Sequence, residues 1–447
     1  MSRLPRSVCP VCLRPIPAHH EMQGGSVFLV KSCPDHGIFR TIVWRGQPDF
    51  QDWSRPKVPS FPKTPFSRVE QGCPLDCGLC DGHLQHTCTA VMEITWRCDL
   101  GCPVCFASSG GSAPPDPTVD EMGRLFDRVF EASGHCNVQL SGGEPTVRDD
   151  LPDLIRLGKA KGFPFIQLNT NGLRIGREHG YAEVLADAGL DSVFLQFDGT
   201  ADSIYSTLRG RPLLDTKLAA VEALFRAGIG IVLVPTVVPG VNDHDLGAIL
   251  RLAAEQSPGV RGVHFQPVSY FGRYPRSPSD EQRITLPELM RLLEKQTGGA
   301  VRARDFLPPG CEHSHCSFHA NYVVAEDGGL DKLSAGGTCG CTPRPASEGA
   351  DKAKAFVKRQ WAAPDKTLPM ADAPDALDAF ISRAATHTLA VSAMAFQDAW
   401  TLDLERLKGC CIHVVSPDGR LIPFCAYNLT SMDGETLYRG KCGSACP

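Results

Sequence analysis

The segment ITWRCDLGCPVCF, residues 94–106, carries three cysteines, Cys98, Cys102 and Cys105, at intervals of four and three. Three thiolates this close can grip one iron–sulfur cluster, yet a four-iron cubane has four corners and the loop leaves one without a protein ligand. An iron with an open position binds a small molecule, by the logic that keeps one position free at catalytic zinc. The amino and carboxylate groups of a methionine derivative chelate such an iron. An electron delivered through the cluster then breaks the neighbouring sulfonium bond. Cys98, Cys102 and Cys105 are therefore the expected catalytic ligands, and S-adenosylmethionine the compound that completes their cluster. A zinc knuckle closed by Cys88 or a distant thiol is the alternative use of the same spacing.

The chain has 447 residues, 20 of them cysteine, and the other cysteines also fall in short spacings. No apolar leader precedes them and the longest apolar run, 227–241, is short and broken by proline, so the sequence reads as a cytoplasmic protein. In a reducing compartment such cysteines point to metal rather than to disulfides. CPVC followed by CPDHG places Cys9, Cys12, Cys33 and His36 as a tetrahedral knuckle for mononuclear zinc or iron. CPLDCGLCDGHLQHTC repeats the triplet spacing with a fourth thiol nearby, so Cys73, Cys77, Cys80 and Cys88 are expected to saturate an auxiliary 4Fe–4S cluster, with zinc as the alternative. A second auxiliary cluster is assigned to Cys311, Cys316, Cys411 and Cys425, with Cys410 able to replace Cys411. Cys339, Cys341, Cys442 and Cys446 receive no role.

The elements that must position these groups lie between residues 91 and 300. Short apolar runs at 91–96, 137–143, 165–172, 192–199, 229–236 and 262–269 alternate with amphipathic stretches. One of those helices has Thr118 as N-cap, Glu121 three residues on, and Gly134 as its stop. Six strands alternating with helices imply βαβ units on a parallel sheet, with chemistry at the strand C-terminal ends. Six units are too few for a closed eight-stranded barrel, so the expected fold is an α/β partial TIM barrel flanked by cysteine-rich metal-binding domains; periodicity alone equally allows a flat doubly wound sheet, and the motifs decide between them. The expected boundaries are 1–60 for the knuckle, 61–90 for the auxiliary cluster segment, 91–300 for the barrel and 301–447 for a C-terminal auxiliary iron–sulfur domain. Within the last, HVVSPDGRLIPF reads as a hairpin that brings Cys411 and Cys425 together, and 375–400 as an amphipathic helix.

The three-cysteine loop after the first strand, with LSGGEPT after the second, resembles the radical SAM superfamily, whose fold is a (β/α)6 partial barrel. The resemblance implies that Ser141, Gly142, Gly143, Glu144 and Pro145 form the motif that meets the methionine amino group. It also implies that Asn169, Asn171, Gln196 and Asp198, in LNTNG and LQFDG, line the cofactor and substrate site. The family often carries an aromatic residue just before the third cysteine; here Val104 stands there and Phe106 follows it, which makes Phe106 the candidate cofactor contact. The order of knuckle, four-cysteine segment, triplet and CCIHVVSPDGRLIPFCAYN resembles the tetraether lipid synthase group and the TrsS-type radical SAM (seleno)proteins.

These readings imply an oxygen-sensitive enzyme that cleaves S-adenosylmethionine to a 5′-deoxyadenosyl radical and takes hydrogen from an unactivated C–H bond. Carbon–carbon bond formation on a lipid-like substrate is the first expectation. A radical methyltransferase, or a TrsS-type protein of unassigned substrate, is the second. An iron–sulfur electron carrier is the distant third, since a carrier has no need of the Glu144 motif. The implied partners are a low-potential donor such as ferredoxin or flavodoxin, and a lipid substrate or a companion methyltransferase, with a lipid placing the protein at the membrane periphery. Residues 265–273 offer Gln266, Tyr270 and Arg273 to a polar head group at the pocket mouth. A net charge of −5 leaves no footprint for nucleic acid.

Overall fold

The computed structural model describes residues 6–62, 64–110, 114–275, 277–333, 343–364 and 376–440. All six anticipated strands form, as Thr89–Thr95, Asn137–Gly142, Ile166–Thr170, Ser192–Gln196, Gly230–Val234 and Val260–Pro267. Each pairs in parallel with the next. Their near-continuous apolar runs suit strands covered on both faces, and Met92, Leu140, Leu168, Leu195, Leu233 and Phe265 are fully buried between sheet and helices. The helix Val119–Ser133 begins at Thr118, which exchanges hydrogen bonds with Glu121, and ends at Gly134 with a positive φ of 66°.

The sheet is wider than six strands, because residues beyond 300 extend both of its edges into a 12-stranded mixed sheet. Thr388–Met394 runs parallel beside Val260–Pro267 and carries the antiparallel strands Ser317–Val324 and Leu330–Lys332 beyond it. On the opposite edge Ile412–Val415 runs parallel to Thr89–Thr95 and turns back as Leu421–Pro423, the anticipated hairpin. The order leaves a parallel barrel wall that does not close on itself. The segment expected as one helix over 375–400 divides instead into the helix Ala376–Thr386 and the strand Thr388–Met394. Thr388 and Val391 gain more from the open sheet edge than from a helix face, since β-branched side chains pack well on a pleated surface.

The N-terminal residues form a four-stranded antiparallel sheet of Arg6–Val8, Pro15–Gln23, Ser26–Cys33 and Gly37–Arg45. It is pinned to the barrel helix Leu286–Gln296 through Arg45 and Glu288 at 2.9 Å. Buried Lys31 ties it to the C-terminal third by donating to the Ala399 carbonyl at 2.6 Å. Among the described residues no helix is long and apolar enough to cross a membrane.

Candidate active site

The loop that carries Cys98, Cys102 and Cys105 leaves the first barrel strand and is held from several sides. Arg273, just past the sixth strand, donates from Nε to the Cys102 carbonyl and from Nη1 to the Ser109 carbonyl, both at 2.9 Å. Its backbone pairs with Cys105 in both directions. Asn171 Nδ2 donates to Asp99 Oδ1 at 2.6 Å, within the loop itself. Gly272 is obligatory beside this bridge, because a Cβ there would lie 2.6 Å from the Phe106 carbonyl oxygen and its φ is +55°. Burial pushes the Cys98 thiol up to about 12. With Cys102 and Cys105 lining the same cavity, the three thiols fit a site for a metal cluster.

The Gly142-Gly143-Glu144 motif is sutured to the same loop. Gly143 N donates to the Thr95 carbonyl and Glu144 N to the Arg97 carbonyl, each at 2.8 Å. The Glu144 side chain is fully buried and accepts from Thr146 and Thr170 at Oε1 and from Asn171 N at Oε2. Burial raises its carboxyl above the ordinary range, and these hydrogen bonds act against that. Glu144 is thus a pin between the second and third strand ends, with only its unfilled acceptor positions left for a ligand. Ser141 is the last residue but one of the second strand, Gly142 ends it, and Pro145 opens the short turn that follows.

The other expected lining residues divide. Asn169 lines the cavity, and its Oδ1 is buried with no partner among the described residues. Gln196 also lines it and accepts at Oε1 from buried Lys217 at 3.0 Å, which turns its amide NH2 away from that lysine. Asp198 does not face the cavity: it is wholly buried and grips Arg209 with two bonds of 2.7 and 2.8 Å. Arg273, expected at the pocket mouth, braces the cluster loop. Phe106 stands on the cavity wall, its ring 5.7 Å from that of Phe424.

A cavity of about 680 Å³ opens over the strand ends. Cys98, Cys102 and Cys105 line one part of it, and Cys88, Cys311 and Cys411 another, with Val91, Phe194, Phe318, Val357 and Trp361 among the apolar walls. Arg439, from the C-terminal segment, pairs with buried Glu93 and holds its guanidinium 5.7 Å from the centre of the Phe106 ring.

The thiols fall into groups that differ from the expected ones. Cys9, Cys12, Cys33 and His36 do converge, their ligand atoms all within 4.8 Å of one another. Cys88, however, sits within 4.8 Å of Cys311 and Cys411 and not in such a group with Cys73, Cys77 and Cys80. The cause is strand pairing: Thr89 lies opposite Ile412, and Cys88 N donates to the Cys411 carbonyl at 2.8 Å. Cys73, Cys77 and Cys80 stay together beside a smaller cavity of about 260 Å³. The expected set of Cys311, Cys316, Cys411 and Cys425 is likewise divided. Cys316 and Cys425 keep company with Cys410, and Arg406 donates to Cys316 Sγ at 3.4 Å. Neighbouring residues of an extended segment face opposite ways, so Cys410 and Cys411 serve different groups. Cys339, Cys341, Cys442 and Cys446 lie outside the described residues.

Sequence reasoning did not single out Arg209, Lys217, Arg406 or Arg439. Arg209 closes the helix Asp202–Arg209, thirteen residues past the fourth strand, so no spacing near a strand end marked it in the sequence.

A three-thiol loop after the first strand of an open parallel barrel, joined to a glycine-rich turn after the second, is the architecture of radical SAM chemistry, and residues 92–253 match the Radical SAM superfamily. Residues 1–45 match the HMPTM N-terminal zinc ribbon domain. The 7,8-dihydro-6-hydroxymethylpterin dimethyltransferase of Methanocaldococcus jannaschii is 34% identical over 474 residues, spanning 96% of this chain and 94% of that protein. The mitochondrial GTP 3′,8-cyclase of Arabidopsis thaliana is 28% identical over 39% of this chain and 45% of its own length. Among solved structures, Streptococcus suis SuiB bound to its precursor peptide SuiA is 17% identical, with a TM-score of 0.41 over 48% of this chain and 46% of that one. The chain belongs to the radical SAM superfamily, in the family of that full-length dimethyltransferase relative. It is an enzyme of the S-adenosylmethionine-dependent, 4Fe–4S kind, with further cysteine groups suited to auxiliary clusters or zinc.

Proposed function

We propose that the protein is a radical SAM methyltransferase that places a methyl group on an unactivated carbon of a pterin-like heterocycle. The observation that carries this reading is the near full-length relationship to a protein named as a dimethyltransferase of 7,8-dihydro-6-hydroxymethylpterin. Cys98, Cys102 and Cys105 would hold a 4Fe–4S cluster, which together with S-adenosylmethionine would supply the one-electron chemistry that takes hydrogen from such a carbon. The chain's own residues hold and shield the site. Gly142 and Gly143 bring the backbone of the second strand onto the cluster loop, and Asn169 and Gln196 offer amides to polar edges of cofactor or substrate. Phe194 and Trp361, whose rings pack 4.8 Å apart, add to the apolar walls that exclude water from a radical intermediate.

A second reading, coupling of carbons on a lipid-like chain, is favoured by one feature, the mainly apolar lining of a cavity long enough to touch two separate thiol groups. In both readings Cys73, Cys77 and Cys80, the Cys88 group and the Cys410 group hold auxiliary metal and pass electrons from a low-potential donor of the ferredoxin or flavodoxin kind. The test is anaerobic turnover of the metal-loaded protein with dithionite, S-adenosylmethionine and 7,8-dihydro-6-hydroxymethylpterin. A methylated pterin, with S-adenosylhomocysteine beside 5′-deoxyadenosine, supports methyl transfer. 5′-Deoxyadenosine formed without any methylated pterin refutes it.

A further inference from the structure

One wall of the cavity is built largely from residues beyond 92–253, the span that matches the superfamily. His264 stands on the sixth barrel strand, Ser392 and Asn321 on the two strands that extend the sheet past it, and Trp361 closes the helix Ala346–Trp361. His264 lies opposite Ser392, and its Nδ1 meets Ser392 Oγ at 2.9 Å. The Phe194 ring stacks on His264 at 5.5 Å and tilts against Trp361 at 4.8 Å, so the three rings fix one another. With ring faces taken up in this packing, the polar edges remain for a ligand. Trp361 Nε1 is a buried donor and Asn321 Oδ1 a buried acceptor, and neither has a hydrogen-bond partner among the described residues. Asn137 Nδ2 and Asn169 Oδ1, on the second and third strands of the same lining, share that condition. Burial lowers His264 to about 4, so its ring is neutral at pH 7 and Nε2 can donate or accept.

Buried polar atoms without partners are rare, because each forfeits its hydration. A donor and an acceptor left so on one wall of a substrate cavity are completed by what binds there. We propose that Asn321, Trp361 and His264 are the specificity-determining wall of the site: they select a compact nitrogen heterocycle whose edge offers an acceptor to Trp361 Nε1 and a donor to Asn321 Oδ1, and they reject a hydrocarbon chain. The inference rests on the reading of the cavity as a methyl-transfer site for such a ring, and it names the residues that choose the ring. A run of methylenes leaves both atoms unpaired. Sites built to hydrogen-bond reject analogues without matching groups far more strongly than apolar pockets reject an extra methylene.

The test is calorimetric titration of the full-length, metal-loaded protein without oxygen, with S-adenosylmethionine and no reductant. The probes are 7,8-dihydro-6-hydroxymethylpterin, guanosine, and dioleoylphosphatidylglycerol in detergent micelles. Asn321→Leu, Trp361→Phe and His264→Phe each keep an apolar side chain in place and remove the polar atom, and each should weaken ring binding roughly fivefold or more. Asn321→Leu should also melt no lower than wild type, since it removes an acceptor that the protein itself leaves unpaired; a merely structural residue would lower the melting temperature and spare binding. If wild type binds guanosine and not the pterin, with the same losses in the variants, the wall stands and the pterin reading falls. If it binds the pterin and any variant keeps wild-type affinity, the pterin reading stands and the wall is overturned. A wild type that binds neither ring, whether or not it takes up the lipid, overturns both.

Discussion

Replacing Gly143 with alanine tests whether the glycine-rich turn serves the cluster loop by close backbone contact. A Cβ at Gly143 would stand 2.1 Å from the Arg97 carbonyl oxygen, 2.8 Å from its carbon and 2.9 Å from the Trp96 carbonyl oxygen. All three are backbone atoms, so no side chain can swing aside, and the two segments must part by roughly 1 Å. That separation breaks the 2.8 Å bonds from Gly143 N to Thr95 and from Glu144 N to Arg97. Two such bonds are worth about 1 kcal/mol each net, and overpacking adds about 1–3 kcal/mol, so the local cost is roughly 3–5 kcal/mol. Set against a whole-domain stability of about 5–15 kcal/mol, the fold survives while the loop geometry does not. Gly143→Ala should retain metal at Cys9, Cys12, Cys33 and His36, fall in melting temperature, and lose S-adenosylmethionine cleavage by more than about tenfold. The assay is 5′-deoxyadenosine formed per chain under dithionite, with metal content measured on the same sample. A variant with wild-type melting temperature and cleavage would refute the close-contact reasoning.

Three further outcomes follow from the same structure. Cys98→Ala, Cys102→Ala and Cys105→Ala should each abolish 5′-deoxyadenosine formation while the N-terminal knuckle keeps its metal, whereas Cys9→Ala should lower folded yield; metal analysis beside chromatography separates the two. Arg439→Met should destabilise by about 3–5 kcal/mol, since it leaves buried Glu93 unpaired, and Glu93→Gln with Arg439→Met should recover much of the loss in a thermal melt. Burial lowers Lys31 to about 7 from an ordinary 10.5, so between those values the unfolded chain holds a proton that the folded one lacks. Stability should therefore fall as pH drops through that window and level off below about 7. Lys31→Met should lack this component, so its stability relative to wild type should gain about 1.4 kcal/mol per pH unit on acidification from pH 9 to 8, read from paired denaturation curves.

Local pattern made the barrel legible. The apolar runs that became Thr89–Thr95 through Val260–Pro267, the Thr118–Glu121 capping box and the Pro-Asp-Gly hairpin all depend on residues near one another in sequence. The catalytic loop was legible for the same reason. Cysteine partnership was not, because it is decided by a strand register spanning more than 300 residues: pairing Thr89 with Ile412 carries Cys88 to Cys411 and away from Cys80. Nor does a polar residue at a strand end declare its direction. Asn169, inside the third strand, lines the cavity, whereas Asp198, two residues past the fourth, does not, since Arg209 is at hand to claim it.

The account depends most on an iron left without a protein ligand at the Cys98, Cys102 and Cys105 loop. Electron–nuclear double resonance of the reduced, oxygen-free protein with S-adenosylmethionine labelled with 15N at its amino group and 17O at its carboxylate addresses that iron directly. Coupling of both labels to the cluster signal, lost in Cys102→Ala, is the predicted result. A cluster signal unmoved by added S-adenosylmethionine, with neither label coupled, would contradict it.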